Sequence, residues 1–476
     1  MAAQSITLGI DLGTTSVKAA LLEDAPSHPS GFVVLASCTR PSRADTESQA
    51  AVPQGREQDV SRIIQALNEC LAALPQQQLR KVKAIGVSGQ MHGILLWEIS
   101  QGCEWMEGTA TPLFEARAVS PLVTWQDGRC SSEFLASLPQ PSSHLSVATG
   151  FGCATIFWLL KNSPELLQSY NAAGTIQDYV VAMLCGLRRP LMSDQNAASW
   201  GYFNTQSQSW NMDILRSSGF PVHLLPDIAQ PGSVAGRTSH TWFEIPKGTR
   251  VGVAMGDLQA SVYSCMDQKT DAVLNISTSV QLAASMPSGF QPAQTPDPAA
   301  PVAYFPYFDR TYLGVAASLN GGNVLGTFVH MLVQWMEDLG LKVEETTVYS
   351  RMIQAAVQQR DTCLTITPTV LGERHLPDQL ASVTRISSSD LSLGHVTRAL
   401  CRGIVQNLLS MLPCEQLREW GVERVRGSGS ALSRNEVLKQ EVQRAFPLPV
   451  SFGQDVDAAV GAALIMLRRS LDPMDS

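Results

Sequence analysis

The chain has 476 residues, of which 44% are hydrophobic and 16% charged, and its formal net charge is -8. This composition excludes an intrinsically disordered protein, and no apolar run approaches the ~20 residues that a membrane-spanning helix requires. The charges are dispersed, so they give no reason to expect nucleic acid or an anionic membrane as a partner. We expect a soluble globular protein, and its length fits two ordinary domains or one very large one, because single cores stop growing at roughly 250–300 residues.

The spacing of cysteine and histidine excludes the usual zinc sites. The chain has 10 cysteines and 8 histidines, and they form neither a C-x-x-C pair nor an H-E-x-x-H motif. Neither terminus carries a recognisable signal peptide or targeting motif, so we expect a cytoplasmic protein with reduced cysteines. A monomer and a homodimer are both compatible with the sequence.

Strand-like and helical segments alternate along the chain, which is typical of an α/β protein. The predicted strands span 6–10, 18–22 and 82–87, and the predicted helices span 59–74, 392–412 and 457–467. The first helix is the best defined, because Ile63, Leu67 and Leu71 recur on one face and Pro75 then ends the pattern.

A short internal repeat suggests that the chain consists of two related halves. Thr15-Ser16-Val17 recurs as Thr278-Ser279-Val280, each time between two strand-like runs. A tripeptide match can also arise by chance, and the repeat by itself leaves that alternative open. We place the boundary between the halves near 258–270, and we interpret the Pro-rich stretch 287–301 as a surface loop within the second half.

The first of these turns has the composition of a phosphate-binding loop. Asp11 ends a strand and is followed by Gly13, Thr14, Thr15 and Ser16. Glycine frees backbone N–H groups to form an anion cradle, the hydroxyls add donors, and the carboxylate can hold a hydrated Mg²⁺ beside the phosphates. An ordinary hairpin turn with local hydrogen bonds is the alternative. The second Thr-Ser loop favours phosphate binding, because a triphosphate needs donors from two sides.

Several motifs together resemble the FGGY carbohydrate kinases, which lie within the actin, hexokinase and large-chaperone ATPase superfamily. The phosphate loop from Asp11 to Ser16 is similar to the first phosphate loop of that superfamily. The similarity continues, in family order, through Ser88-Gly-Gln-Met-His-Gly93, Trp125-Gln-Asp127-Gly-Arg129, Phe157-Trp-Leu-Leu-Lys-Asn-Ser-Pro-Glu165, Asp178-Tyr179, Ser193-Asp194, Gly256-Asp257-Leu-Gln259, Thr278, Gly372-Glu-Arg374 and Gly427-Ser-Gly429-Ser430 with Asn435. Any one match could be accidental, but their common order is specific.

The resemblance implies two ribonuclease-H-like α/β lobes, about 1–260 and 261–476, with the active site in the cleft between them. It also implies a kinase that uses ATP and Mg²⁺ to phosphorylate a terminal hydroxyl of a sugar. The implied acceptor is the seven-carbon ketose sedoheptulose, which would give the 7-phosphate. The same residues would serve xylulose, ribulose or glycerol, and a catalytically silent sugar- or nucleotide-binding regulator is a third alternative. The expected partners are therefore the sugar and ATP, not nucleic acid or a membrane.

Asp257 is the candidate catalytic base. It follows a run of small residues over 251–256, which would let the backbone approach a ligand, and a carboxylate at a strand end is well placed to accept a proton. The alternative is that Asp257 caps a helix that starts near Gln259. The resemblance favours catalysis, although Leu258 replaces a residue that is commonly polar in the family.

The residues that the resemblance assigns to the sugar are Gln90, Met91, His92, Asp127 and Asp257. His92 lies between glycines beyond the end of a predicted strand, where α/β proteins bind ligands. Met91 would offer an apolar surface, with core packing as the alternative, and Asp127 would accept hydrogen bonds from vicinal hydroxyls. Trp125 could present its ring to the sugar, but packing between layers is commoner for tryptophan.

The nucleotide assignments also come from the resemblance. They comprise Gly13, Thr14, Thr15 and Ser16 in the first phosphate loop, Thr278 and Gly322 for the second, Gly429, Ser430 and Asn435 for adenosine, and Asp11 for the metal. Ser277, Ser428 and Ser430 stand where the family is richer in glycine, which puts nucleotide affinity and choice in question because a Cβ limits close backbone approach. The segment 372–374 either braces the second lobe through an internal ion pair or brings its arginine to the nucleotide, and we do not assign it to catalysis.

Overall fold

The computed structural model describes residues 5–28, 30–46, 54–106, 112–453 and 457–469. Within these residues it contains two large β-sheets with packed helices and several smaller strand pairings. No helix in this part of the chain is both long and apolar enough to cross a membrane. All ten cysteines lie in the described segments, and all are free thiols.

The first sheet is built from strands of the N-terminal half. These strands are β1 (Ile6–Leu12), β2 (Ser16–Asp24), β3 (Phe32–Pro41), β6 (Val82–Gly89), β16 (Val234–Arg237), β17 (Arg250–Gly252) and β18 (Met255–Gly256), in the spatial order β16-β17-β6-β1-β2-β3 with β18 also paired to β6. β1 pairs antiparallel with β2 and parallel with β6, so Asp11 lies between Lys18 and Ser88. The three predicted strands are confirmed as the centre of this sheet.

The second sheet repeats this plan in the C-terminal half. Its strands are β19 (Asp271–Ile276), β20 (Val280–Ser285), β21 (Val302–Pro306), β22 (Tyr312–Ser318), β25 (Arg424–Ser428) and β26 (Val450–Phe452), in the order β21-β22-β20-β19-β25-β26. β19 pairs antiparallel with β20 and parallel with β25, as β1 does with β2 and β6. The two Thr-Ser-Val turns therefore occupy equivalent places, and the two related halves are confirmed.

Helices pack against both sheets. Those of the N-terminal half are α1 (Val60–Ala73), α2 (Gln76–Leu79), α3 (Ser132–Ser137), α4 (Gly152–Asn162), α5 (Pro164–Gln168), α6 (Ile176–Cys185), α7 (Asp194–Trp200), α8 (Met212–Ser217) and α9 (Asp257–Cys265). Those of the C-terminal half are α10 (Gly322–Asp338), α11 (Glu345–Gln358), α12 (Leu393–Met411), α13 (Cys414–Glu419), α14 (Ser430–Arg434), α15 (Glu436–Ala445) and α16 (Ala458–Arg469). α12 and α16 confirm the two helices predicted near the end of the chain.

Short strands and turns complete the fold. The short strands are β4 (Asp45–Thr46), β5 (Glu57–Gln58), β7 (Leu95–Trp97), β8 (Cys103–Met106), β9 (Leu113–Ala116), β10 (Leu122–Val123), β11 (Ala172–Gly174), β12 (Leu191–Ser193), β13 (Phe203–Asn204), β14 (Ser209–Trp210), β15 (Asp227–Ala229), β23 (Thr365–Thr367) and β24 (Ser382–Thr384). Single 3₁₀ turns lie at Val222–Leu224 and Phe308–Arg310. Most of these elements lie in the N-terminal half, between β6 and β16.

The predicted helix at 59–74 is observed as α1, and its ends follow from local sequence. Asp59 is the N-cap, and its carboxylate accepts a hydrogen bond from a backbone N–H of the first turn. Ile63 and Leu67 lie on the buried face, within the core of the first sheet. Pro75 follows the C-cap, where its ring prevents the helix from continuing.

The last helix, α16, packs on the first sheet although it follows the second sheet in the chain. A Cβ at Gly9 or Gly86 would overlap the backbone carbonyl of Ala459 or Ala462, so these two glycines let the helix lie directly on β1 and β6. The strands of the two sheets divide near the predicted boundary, whereas α16 returns across it. The division into 1–260 and 261–476 therefore stays a prediction. It separates the strands of the two sheets, but it also separates α16 from the sheet on which the helix packs.

Candidate active site

A cavity of about 620 Å³ lies between the two halves and is lined by residues from both. From the N-terminal half it receives four predicted site residues, namely Thr14, Met91, His92 and Asp257. The C-terminal half contributes much of the Pro-rich stretch, which we had interpreted as a surface loop, and also Arg374. A cleft between two α/β lobes is the expected position for a ligand site.

The first phosphate loop joins β1 to β2, and its backbone is fixed by hydrogen bonds from outside the loop. The Thr14 carbonyl accepts a 2.7 Å hydrogen bond from Gln58 Nε2, and the Thr15 carbonyl accepts one of 3.0 Å from the Ser42 N–H. Thr15 itself is exposed, while Gly13, Thr14 and Ser16 are half-buried. Two carbonyl oxygens of the loop are thus bonded to the protein, which suits a loop that offers donors to an anion.

Asp11 lies at the end of β1, close to two other carboxylates. Ser88 donates a 3.1 Å hydrogen bond to Asp11 Oδ1, and Lys18 forms an ion pair with Asp457. Burial, and then the charges of Asp257 and Asp457, raise the pKa of Asp11 to about 7, while Ser88 and Lys18 oppose the shift. A hydrated divalent cation would relieve this repulsion, and a donor set of oxygen atoms fits Mg²⁺. That Asp11 holds this cation stays a prediction.

Asp257 begins α9 directly after β18, whose pairing with β6 brings it beside the end of that strand. The helix thus starts at Asp257 and not near Gln259, and Asp257 Oδ1 accepts a 2.7 Å hydrogen bond from the Leu258 N–H. Burial raises the pKa of Asp257 to about 6. The carboxylate therefore lines the cavity with a proton affinity suited to a general base at neutral pH.

His92 is held in one orientation at the cavity wall. Its ring stacks on Phe151 with the centroids 4.4 Å apart, and its Nδ1 lies 2.9 Å from the carbonyl oxygen of Ser199. A carbonyl can only accept, so Nδ1 carries the proton and Nε2 is left as an acceptor. Burial lowers the pKa of His92 to about 4, which keeps the ring neutral at physiological pH. His92 can therefore accept a hydrogen bond from a ligand hydroxyl.

The two residues before His92 have different environments. Met91 is only 6% exposed but lines the cavity, a position that suits both packing and contact with a carbon chain. Gln90 is buried, and its Nε2 donates a 3.0 Å hydrogen bond to Gln58 Oε1 while its Oε1 accepts one of 3.4 Å from Thr14. The structure thus connects Gln90 to the first phosphate loop, and its contact with the sugar stays a prediction.

Asp127 is fully buried, and both of its oxygens already accept hydrogen bonds. Arg129 donates from Nε to Oδ1 at 2.8 Å and from Nη2 to Oδ2 at 2.9 Å, and the Arg56 N–H donates to Oδ2 at 2.8 Å. Trp125 is 41% exposed, lines the cavity and donates from Nε1 to Thr14 Oγ1 at 3.0 Å. The motif therefore brings Trp125 to the cavity, although interlayer packing was the commoner expectation. A sugar contact by Asp127 stays a prediction that requires one of its hydrogen bonds to break.

The second phosphate loop, between β19 and β20, is held by the start of α10. The Gly322 N–H donates to the Ser277 carbonyl at 2.8 Å, and the Asn323 N–H donates to the Thr278 carbonyl at 3.1 Å. A Cβ at Gly322 would overlap the same Ser277 oxygen, so this contact requires glycine. Thr278 and Gly322 therefore lie side by side, and the Thr278 side chain is exposed.

The predicted adenosine motif follows β25 and contacts the second phosphate loop. Gly429 has a φ of 104°, and a Cβ there would overlap the Asn275 side chain and the Ile276 carbonyl. Ser277 Oγ accepts a 3.3 Å hydrogen bond from the Ser430 N–H and donates one of 3.2 Å to Asn275 Oδ1. Ser277 thus joins the two loops.

Asn435 has a structural role in this region. It is fully buried and is the N-cap of α15, where its Oδ1 accepts hydrogen bonds from the backbone N–H groups of Val437 at 3.0 Å and Leu438 at 3.1 Å. Its contact with adenosine therefore stays a prediction.

Comparison with known proteins decides the family. A model of the N-terminal domain of the FGGY family of carbohydrate kinases matches residues 6–263. A sedoheptulokinase from Homo sapiens is 85% identical over 100% of both chains, and a sedoheptulokinase from Mus musculus is 84% identical over 99% of both. The chain belongs to the FGGY family of carbohydrate kinases.

Solved structures of low sequence identity share the fold of this FGGY kinase. Xylulose kinase from Rhodospirillum rubrum has a TM-score of 0.78 at 18% identity, over 98% of this chain and 91% of that one. Plasmodium falciparum glycerol kinase with ADP has a TM-score of 0.75 at 17% identity, over 99% of this chain and 91% of that one. The predicted fold of two ribonuclease-H-like lobes is confirmed.

Some cavity residues of this FGGY kinase had no recognisable signal in the sequence. The segment 144–146 lines the cavity, and His144 Nε2 lies 2.7 Å from the Tyr304 carbonyl of the other half. Lys18 and Asp457 join the group around Asp11 although 439 positions separate them. The proline content of 287–301 was visible, but only the packed halves show that this stretch covers the cavity.

Proposed function

We propose that this FGGY kinase transfers the γ-phosphoryl group of ATP to the terminal hydroxyl of sedoheptulose, giving sedoheptulose 7-phosphate and ADP. The observation that carries the proposal is the cavity between the halves, which brings Asp257 and His92 into one space with Thr14 of the first phosphate loop. The choice of acceptor rests on the 85% identity, over the whole chain, to a protein named sedoheptulokinase.

In the proposed reaction Asp257 accepts the proton of the attacking hydroxyl. Its pKa of about 6 leaves it ionised at neutral pH, yet basic enough to take a proton as the hydroxyl attacks phosphorus. A base of this kind contributes ~10²–10⁴-fold to the rate. Positioning of the two substrates supplies the rest, because the transition state is loose and spreads its charge over the phosphoryl oxygens.

The two phosphate loops hold the triphosphate from opposite sides. The proposed nucleotide contacts are Gly13, Thr14, Thr15 and Ser16 from the N-terminal half, and Thr278, Gly322, Gly429, Ser430 and Asn435 from the C-terminal half. Mg²⁺ held by Asp11 would neutralise phosphate charge when bound. The carboxylates near Asp11 support this assignment, because their charges raise its pKa and a bound cation would offset that repulsion.

The sugar lies against residues of the N-terminal half. His92 Nε2 accepts a hydrogen bond from a sugar hydroxyl, Met91 contacts the carbon chain, and the exposed ring of Trp125 forms part of the wall. Gln90 and Asp127 contribute through their neighbours. The first orders Thr14, and the second orders the backbone of Arg56, while direct contacts from both remain part of the proposal.

We place the enzyme in the cytoplasm, with the sugar and ATP as its required partners. The ten free thiols suit a reducing compartment, where ATP is also abundant. Nucleic acid and membranes have no part in the proposed reaction, and the net charge of -8 does not favour anionic partners. A monomer or a homodimer would be distinguished by light scattering of the purified protein.

A substrate panel tests the proposal. Purified protein is incubated with Mg·ATP and with sedoheptulose, xylulose, ribulose, a hexulose or glycerol, and ADP release is followed. We expect the highest kcat/KM with sedoheptulose, and no turnover by the Asp257→Asn control. Faster turnover of another acceptor would overturn the choice of sugar. No turnover of any acceptor by the wild type would favour a silent binding protein.

A further inference from the structure

The segment 372–374 is fixed to the end of β22 by its buried glutamate. Glu373 Oε1 accepts hydrogen bonds from Ser318 Oγ at 2.6 Å, Asn407 Nδ2 at 2.7 Å and Asn320 Nδ2 at 2.9 Å. Neutral donors, and not an internal ion pair, therefore hold this glutamate. Arg374, the next residue, therefore does not pair with this glutamate and can contact a ligand.

A tight turn carries Arg374 and His375 away from this anchor. The backbones of Glu373 and Leu376 exchange two hydrogen bonds, of 3.1 and 3.0 Å, so the two residues between them form the tip. On the preceding side, the Gly372 carbonyl accepts a 2.8 Å hydrogen bond from Asn320 Nδ2. The tip is thus held from both ends, and its side chains project from a rigid base.

Both tip residues line the cavity that contains Asp257 and His92. Arg374 is exposed to that space, and after burial its positive charge is a further cause that lowers the pKa of His92. At Asp257, burial and backbone hydrogen bonds account for the shift in pKa. The Arg374 guanidinium thus shares one cavity with His92 and Asp257, and its charge acts on the His92 ring.

We propose that Arg374 binds oxygen atoms at the end of the sugar remote from the phosphorylated hydroxyl, and that it thereby selects long ketoses. This inference rests on the proposed function. The reacting hydroxyl must reach Asp257, so a seven-carbon chain extends from there toward His92 and the tip of the turn. A guanidinium offers five N–H donors in a planar fork, which suits adjacent hydroxyl or keto oxygens. On this inference, a three-carbon acceptor that reacts at Asp257 would be too short to contact Arg374.

Arginine variants and acceptors of different length test the inference. Arg374→Ala and Arg374→Lys are compared with Arg351→Ala, which changes an exposed arginine on α11 and serves as the matched control. For each protein, kcat and KM are measured with sedoheptulose, xylulose and glycerol at saturating Mg·ATP, and then with Mg·ATP varied at saturating sugar. Thermal unfolding of every variant verifies that the fold is retained.

We expect Arg374→Ala to lower kcat/KM for sedoheptulose about ten- to hundredfold, mostly through KM, as for the loss of a charge-assisted hydrogen bond. The loss should be smaller with xylulose and absent with glycerol, and KM for Mg·ATP should not change. Arg374→Lys should recover part of the activity because it keeps the charge but not the fork.

Three results would overturn the inference. An equal loss with every acceptor would remove any role in selecting chain length, and a higher KM for Mg·ATP at unchanged sugar KM would place Arg374 at the nucleotide. Unchanged kinetics would show that Arg374 contacts neither substrate. Failure of the wild type to phosphorylate sedoheptulose would instead refute the proposed function. The comparison of chain lengths would then use the acceptors that the wild type does phosphorylate.

Discussion

The burial of Asp257 gives its carboxylate the pKa of a suitable base, but it also lowers the stability of the folded protein at neutral pH. Burial raises its pKa from 3.8 to about 6, so the folded protein binds this proton more tightly than the unfolded chain does. The free energy of unfolding therefore falls as pH rises through this interval, because the folded state must then hold a buried charge. The same buried charge raises the pKa of Asp11, which adds to the effect.

Asp257→Asn should abolish kinase turnover and at the same time stabilise the fold at pH 7.5. The asparagine carries no charge to bury, and the shift in pKa corresponds to about 1–3 kcal/mol in the free energy of unfolding. Urea titrations of both proteins, followed by fluorescence, would measure the difference, and ADP release would measure turnover. The gain in stability should vanish only well below pH 3.8, the ordinary pKa of the group, where the wild-type carboxyl is protonated in both states. Near-normal turnover would refute the assignment of Asp257 as the base.

Asp127 illustrates a carboxylate that serves the structure. Its carboxylate accepts hydrogen bonds from Nε and Nη2 of the buried Arg129 side chain. Arg129 also forms a 2.7 Å ion pair with Glu57. Removal of the Asp127 carboxylate leaves the buried Arg129 fork and the Arg56 N–H without the acceptor that they share.

Asp127→Ala should therefore lower the free energy of unfolding by about 3–5 kcal/mol. Asp213→Ala, which removes an exposed acid from the first turn of α8, is the control and should cost at most about 1 kcal/mol. Thermal and urea unfolding would measure both. A stable Asp127→Ala protein with a raised KM for the sugar would contradict the structural role and support direct contact.

At the scale of elements, the active site depends on how closely α16 lies on the first sheet. Ser88 Oγ lies 3.3 Å from the Ala458 carbonyl oxygen, and Asp457, which pairs with Lys18, stands just before the helix. The same close approach brings Asp457 into the group of carboxylates around Asp11. Gly9 and Gly86 permit this distance because neither has a Cβ.

Two glycine substitutions should have opposite effects on stability. Gly9→Ala would press a methyl group into the carbonyl of Ala459, and it should lower the free energy of unfolding by about 1–3 kcal/mol or more. Gly326→Ala is the control, since Gly326 is exposed in the middle of α10 with no atom near its missing Cβ, and alanine there should add about 0.5–1 kcal/mol. Urea titrations would measure both. Equal stabilities would contradict the packing of α16 on β1.

At the scale of the whole molecule, the two halves enclose the cavity and contribute one phosphate loop each. Polar contacts between them include His144 Nε2 to the Tyr304 carbonyl at 2.7 Å and Tyr312 OH to Thr205 Oγ1 at 2.9 Å. Under the proposed function, a triphosphate held by both loops would draw the halves together, and closure would keep water from accepting the phosphoryl group.

Ligands should therefore compact the protein in solution. The Asp257→Asn protein with Mg·ATP and sedoheptulose forms a complex that does not turn over, so it can be compared with the free protein by small-angle scattering. We expect a smaller radius of gyration with both ligands than with either alone. An unchanged radius of gyration with both ligands would contradict a closing cleft.

Features that depend on neighbouring residues were predictable from the sequence. The turn from Gly13 to Ser16 lies between strands that its flanking residues specify, and α1 begins at a capping Asp59 and ends before Pro75. Four predicted site residues, Thr14, Met91, His92 and Asp257, do line one cavity. Apolar periodicity and turn composition are properties of a few neighbouring residues. They can therefore be identified before the tertiary structure is known.

The sequence by itself thus determined the alternating elements, the repeated turn that suggests two related halves, and four of the residues that line the cavity. Only the tertiary structure decided three features. The backbone of Arg56 and the side chain of Arg129 donate hydrogen bonds to the Asp127 carboxylate. Helix α16 returns to the first sheet, and Arg374 lines the cavity. The physical reason is sequence separation. Such contacts join residues that are far apart in the chain. Their burial, their charge interactions and the close approach that glycine allows exist only after the halves have packed.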